Sequence, residues 1–186
     1  MKPLLRRLFM GFAALLLLMA FVGWCYLPSP TIRSRETYSA LSAYINHQYG
    51  DLNDSEHRQR IVVIYQRSDR YSRLRWLSRP ASAPRLLRWE QIFSRSTSFE
   101  KRFTLQAPYT FTDHASPDTP DLPAAEQELV GTGTLVFSNL SFNHSGTLAL
   151  FYVEDLCGLC GQGEYVLMKK ENGRWEIASE QITWVS

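Results

Sequence analysis

The sequence predicts an α+β protein: an N-terminal transmembrane helix, then one domain with one or two helices packed on a C-terminal antiparallel β-meander. Three observations lead there. Twenty consecutive residues, Leu8 to Leu27, carry no charge. Tyr38, Leu41, Tyr44, Ile45 and Tyr49 recur at helical intervals. After Gly133, four strand-like runs are separated by short turns, which make antiparallel neighbours. The division is residues 1–27 as a signal-anchor segment, 28–34 as a linker and 35–186 as one extracytoplasmic α+β domain.

At 1.5 Å per residue the uncharged run crosses roughly 30 Å of hydrocarbon, and in lipid its backbone groups must bond internally, which demands a helix. Lys2, Arg6 and Arg7 precede it, so the head stays inside and the chain after Pro28 is translocated; Arg33 and Arg35 weaken that asymmetry. Cleavage by a signal peptidase needs small residues at −3 and −1; the candidate cuts after Ala20 and Gly23 place Leu18 and Phe21 at −3, and a cut after Thr31, with Ser29 at −3, is the least unfavourable. Trp24 stands where lipidation of Cys25 would need a small residue. A retained anchor in the inner, cytoplasmic membrane, single-pass, with the C-terminal domain in the periplasm or outside the cell, is the reading these residues favour.

Pro28 and Pro30 among small polar residues form the spacer. The amphipathic helix follows from Glu36 to Tyr49, with Ser34 as N-cap and Gly50 as terminator. Ile61-Val62-Val63-Ile64-Tyr65 is a short β-branched block and reads as a buried strand. Residues 78–84 are a proline, serine and alanine loop, and 85–93 form a second helix burying Leu86, Leu87, Trp89 and Phe93. Phe99, Lys101, Phe103 and Leu105 alternate as a strand that Tyr109 to Thr112 extends beyond Pro108. Residues 115–123 hold three prolines and form an exposed loop. The final runs are Leu135 to Phe142, Thr147 to Leu156, Glu164 to Lys170 and Arg174 to Val185. The last two are joined by Asn172-Gly173, both of which tolerate the positive φ of a type I′ turn.

Charge divides the translocated part. Residues 28–102 hold 14 basic and 7 acidic residues, net +7, whereas 103–186 hold 3 and 11, net −8. Arg67, Arg70, Arg73 and Arg75, interleaved with Tyr65, Tyr71 and Trp76, are the candidate contacts for an anionic surface. The compartment argues against nucleic acid and for anionic headgroups, an envelope polymer or an envelope protein. The plain reading of the same run is a solvated face that pairs with the acidic half.

The run Phe137-Ser138, Phe142-Asn143, Ala149 to Val153, Cys157-Gly158-Leu159-Cys160-Gly161, Gly163, Tyr165-Val166-Leu167, Lys169-Lys170, Asn172-Gly173 and Trp175 resembles a pattern shared by uncharacterised bacterial secreted and membrane-anchored proteins. The likeness runs from about Leu135 to Trp175 and implies an exported bacterial domain, with no mechanism attached.

Cys157 and Cys160 are the sharpest chemical feature. A tight C-x-x-C turn, with Gly158, Gly161 and Gly163 as turn glycines, brings two Cα atoms within disulfide range, and an oxidising compartment favours the bond. A redox dithiol is the alternative, but its usual context is a helix N-terminus, and the residues after this motif predict a strand. A zinc site would need two further ligands, for which His114 and His144 lack ligand spacing. No G-x-S-x-G, H-E-x-x-H or phosphate-cradling glycine loop occurs. Glu126, Glu128, Glu154 and Asp155 are acidic pairs without a placed acid–base partner. The expectation is a non-enzymatic, membrane-anchored envelope domain that binds a partner and needs no cofactor, with thiol–disulfide exchange or zinc binding as the alternative.

Overall fold

A computed structural model describes residues 30–53, 60–68, 84, 87, 97–115, 130–157 and 160–186. Among the described residues a long helix, α1 (Pro30–Tyr49), continues into a 3-10 turn (Gly50–Asn53). Seven strands follow among those residues: β1 (Ile61–Tyr65), β2 (Tyr109–Thr112), β3 (Val130–Phe137), β4 (Ser141–Phe142), β5 (Leu148–Leu156), β6 (Gln162–Glu171) and β7 (Arg174–Val185). They form one sheet in the order β2-β1-β3-β5-β6-β7, with β4 also paired to β5.

The sheet is mixed, which corrects the expected antiparallel meander. β1 lies between β2 and β3 and pairs with both in parallel, while β3-β5, β4-β5, β5-β6 and β6-β7 are antiparallel. The cause is connection length. A two-residue turn forces β6 and β7 antiparallel, whereas residues 66–108 and 113–129 separate β1, β2 and β3 by enough chain for parallel crossovers. The central place of β1 explains its near-continuous apolar run, since Val62, Val63 and Ile64 are all fully buried.

The expected membrane-spanning segment and the Arg85–Phe93 helix lie outside the described residues, apart from Leu87. That residue is helical and buried against Leu150, Tyr152, Tyr165 and Leu167, on the sheet face away from the larger core. Among the described residues no helix is long and apolar enough to cross a membrane. The amphipathic helix starts at Pro30, inside the stretch expected as spacer, so Ser34 is within the helix rather than capping it. Proline suits that first position because its fixed φ is helical and the missing N–H would have had no partner there.

The main core joins α1 to one sheet face. Ala40, Leu41, Tyr44 and Ile45 meet Val62, Ile64, Leu135, Phe137, Phe151, Val153, Val166 and Met168. Tyr44 packs edge-on against Phe151 at 5.3 Å between ring centroids and against Phe137 at 6.2 Å.

Residues 99–105 do not form the expected strand. Phe99 and Phe103, four apart, both enter the core, and the backbone between and beyond them bonds to helix side chains instead of a neighbouring strand. Tyr38, Ser42 and Asn46 are successive i, i+4 positions of one helix face. The Glu100 N–H donates to Tyr38 Oη at 2.9 Å, Thr104 N–H to Ser42 Oγ at 3.0 Å and Gln106 N–H to Asn46 Oδ1 at 2.8 Å. Asn46 Nδ2 donates in return to the Thr104 carbonyl at 3.0 Å.

β3 and β4 are one broken strand along β5. At the break, the Ser138 hydroxyl accepts from the Tyr152 N–H at 2.8 Å and so repairs the ladder. The β6–β7 turn is as expected, with Asn172 at φ 50° and Gly173 at φ 81°.

Candidate functional site

One face of α1 from Arg35 to Asn46, Arg102 and Thr104, and the β6–β7 turn surround a groove of about 560 Å³. Each wall contributes one arginine: Arg35 from α1, Arg102 from the stitched segment and Arg174 from the first residue of β7. Hydroxyls of Tyr38, Ser39, Ser42 and Thr104 and the amide of Asn46 contribute polar lining, Trp175 and Ala43 are apolar, and among the described residues no carboxylate lines it.

Glu36 fixes the groove's shape without occupying it. Its Oε2 accepts from Lys170 Nζ at 2.7 Å and from Trp175 Nε1 at 2.9 Å, which ties the β6–β7 turn to the first turns of α1. Burial raises the Glu36 pKa, but those two hydrogen bonds and the charges of Lys170 and Arg35 outweigh it and hold the group below the ordinary carboxylate value. Lys170 is consumed in that contact. The arginines are freer: the Arg35 side chain is 86% exposed and only 4.0 Å from Glu36, and Arg102 is half exposed, 3.8 Å from Glu100. Arg102 also stacks over the Tyr38 ring at 4.8 Å, which orients its guanidinium at the groove wall. Arg174 is exposed and has no ion pair among the described residues. Guanidinium groups and hydroxyls of this kind are chemically suited to pairing with phosphate or carboxylate oxygens.

The other end of the helix is acidic and closed. Tyr44 donates to Glu164 Oε1 at 2.7 Å, Tyr49 to Asp155 Oδ2 at 3.0 Å, and Gln48 Nε2 to Glu180 Oε1 at 2.7 Å. Burial pushes the Glu164 pKa up, Tyr44's hydrogen bond opposes the rise, and the neighbouring charge of Glu180 adds to it. Burial likewise pushes Asp155 up against the hydrogen bonds of Tyr49 and the Gly133 backbone. Both tyrosines are held well above the ordinary phenol range, by burial first and then by their carboxylate partners. With Tyr44 and Glu164 both buried, this end joins helix to sheet.

Cys157 and Cys160 are at disulfide distance, with Cα atoms 5.3 Å apart, in the connection from β5 to β6. Gly158 lies outside the described residues. Gly161 and Gly163 are glycines for a reason other than turn geometry, since neither has positive φ. A side chain at Gly163 would collide with the Trp184 indole and the Tyr152 hydroxyl, and one at Gly161 would press on the same indole. Trp184 Nε1 donates to Tyr152 Oη at 2.8 Å, so the glycines admit the aromatic pair that closes the sheet end beside the cysteines.

Of the arginines singled out in the sequence, Arg67 is exposed and bridges to Ser98 at the end of β1. Arg70, Arg73 and Arg75 lie outside the described residues. His114 is exposed beside Asp113 and His144 is exposed in the β4–β5 turn, and among the described residues no three His, Cys, Asp or Glu are placed to hold a metal ion. Arg35, Arg102 and Arg174 escaped the sequence reading because they are far apart in the chain and only the fold assembles them. Glu164 left a fainter trace: period-2 alternation puts it on the same strand face as Val166 and Met168, an inward carboxylate that requires a donor. In comparison with known proteins, no family model matches the chain, and neither a curated protein nor a solved structure matches it significantly.

Proposed function

We propose that this chain is a non-enzymatic envelope domain, tethered to the membrane by its uncharged 8–27 segment and displayed outside the cytoplasm. Its role is to bind an anionic envelope component through the groove at the start of α1. The single observation that carries the reading is the convergence of Arg35, Arg102 and Arg174 around an opening that, among the described residues, no carboxylate lines. The hydropathy of residues 8–27 and the basic head before them support the tether, and the cysteine pair at disulfide distance suits an oxidising exterior.

Thiol–disulfide exchange is less well supported. A reactive thiol of that class gains its low pKa at a helix N-terminus, whereas Cys157 and Cys160 connect two strands.

The test is topological and chemical at once. Expressed in a bacterial host, the chain stays in the membrane pellet, protease added to spheroplasts removes the part after the anchor, and Cys157 and Cys160 resist alkylation until reductant is added. A C-terminal part sheltered from protease, with both thiols alkylated at once, overturns the reading.

A further inference from the structure

We infer that the groove binds the phosphate of an anionic phospholipid in the same membrane that holds the chain, an inference that rests on the tether proposed above. Pro30 stands three positions after Leu27, and at no more than roughly 3.6 Å per step that distance is about 11 Å. From Pro30 the helix rises 1.5 Å per residue, so Arg35 lies about 8 Å further on. Whatever path the short connection takes, the Arg35 backbone stays within roughly 18 to 19 Å of the end of the apolar segment, and its side chain reaches beyond that. Arg102 and Arg174 line the same groove and share that limit to within its width.

A membrane headgroup is therefore an anion within reach of the groove, presented at an effective concentration set by the short connection. The chemistry fits a phosphodiester: guanidinium forks pair with two phosphate oxygens, and the lining hydroxyls suit the glycerol and headgroup oxygens.

The experiment places the full chain in nanodiscs of phosphatidylcholine, with and without phosphatidylglycerol, and follows hydrogen exchange of residues 100–106 and 172–175. Slower exchange in both segments only when phosphatidylglycerol is present is the expected result. At roughly fivefold in affinity per near-surface arginine, R102Q with R174Q weakens the interaction about 25-fold and abolishes the protection. Equal exchange in both lipids overturns the inference while leaving the tether intact. Protection produced by inorganic phosphate in phosphatidylcholine discs, and not by phosphatidylglycerol, overturns it in favour of a soluble phosphate ligand. A chain that fails to enter the discs overturns the tether, and the inference with it.

Discussion

The two ends of α1 carry opposite charge in opposite settings. At the start, Arg35, Arg102 and Arg174 face water around an open groove; at the end, Glu164, Asp155 and Glu180 are each met by a donor from the helix. The difference shows which charges hold the fold and which are left for a ligand. A buried carboxylate must have its hydrogen bond within the protein, because burial without one costs about 1 to 3 kcal/mol, and the helix supplies it through Tyr44 and Tyr49. An exposed guanidinium carries no such obligation. Its contribution to stability is close to zero, and its hydrogen-bonding capacity stays available.

Substitutions at each end sharpen that contrast. The largest effect belongs to Tyr44→Ala, which removes the ring packed on Phe137 and Phe151 as well as the donor to Glu164; a loss of about 3 to 5 kcal/mol in denaturant unfolding is expected. Tyr44→Phe keeps the ring and isolates the hydroxyl, so a loss of about 1 to 3 kcal/mol follows from the orphaned carboxylate alone. If Tyr44→Phe is neutral, the acidic end is not held by its tyrosines.

Replacing both Cys157 and Cys160 by serine removes a four-residue loop closure worth about 2 kcal/mol by chain entropy, and the unfolding midpoint falls accordingly.

A pH titration separates the ends by sign. Glu164 and Asp155 have folded-state pKa values raised above their unfolded ones, so the folded state binds more protons there; the stability they contribute is full below the unfolded carboxylate range and is lost as pH rises through the raised values. Glu36 at the groove is lowered, so its contribution is present above the unfolded value and lost as pH falls through the lowered one. Mild acidification from neutral pH toward the carboxylate range therefore raises the midpoint, and further acidification reverses the gain. Glu164→Gln with Asp155→Asn removes the rise and keeps the acid-side loss. A wild-type midpoint that only falls on acidification contradicts the assignment.

The smallest effect is expected at the groove, where R102Q with R174Q changes stability by no more than about 0.5 kcal/mol, as at other exposed sites. A larger loss would make these arginines structural.

The parts of the fold legible in the sequence were those whose pattern is local. β1 announced itself as a β-branched run, the helix by its spacing of tyrosines and leucine, and the β6–β7 hairpin by Asn172-Gly173, whose positive φ angles are those the turn requires. Sheet order was not legible, because the parallel pairing of β1 with β3 depends on how long connections cross and not on any residue in either strand. Residues 99–105 misled for a specific reason: alternation predicts a strand only where a neighbouring strand takes up its backbone groups, and here Tyr38, Ser42 and Asn46 do so. Arg35 and Arg174 stand 139 positions apart, so no window of sequence contains the groove. The cysteine pair was legible because a tight turn over that spacing brings the two residues within bonding distance.

The most direct measurement of the central claim is native mass spectrometry of the full chain released from membranes containing phosphatidylglycerol and phosphatidylcholine together. The account predicts that the chain carries phosphatidylglycerol in preference, and that Arg35→Gln combined with R102Q and R174Q loses this adduct while Tyr44→Phe keeps it. Equal retention of the two lipids, or an adduct indifferent to the three arginines, would contradict it.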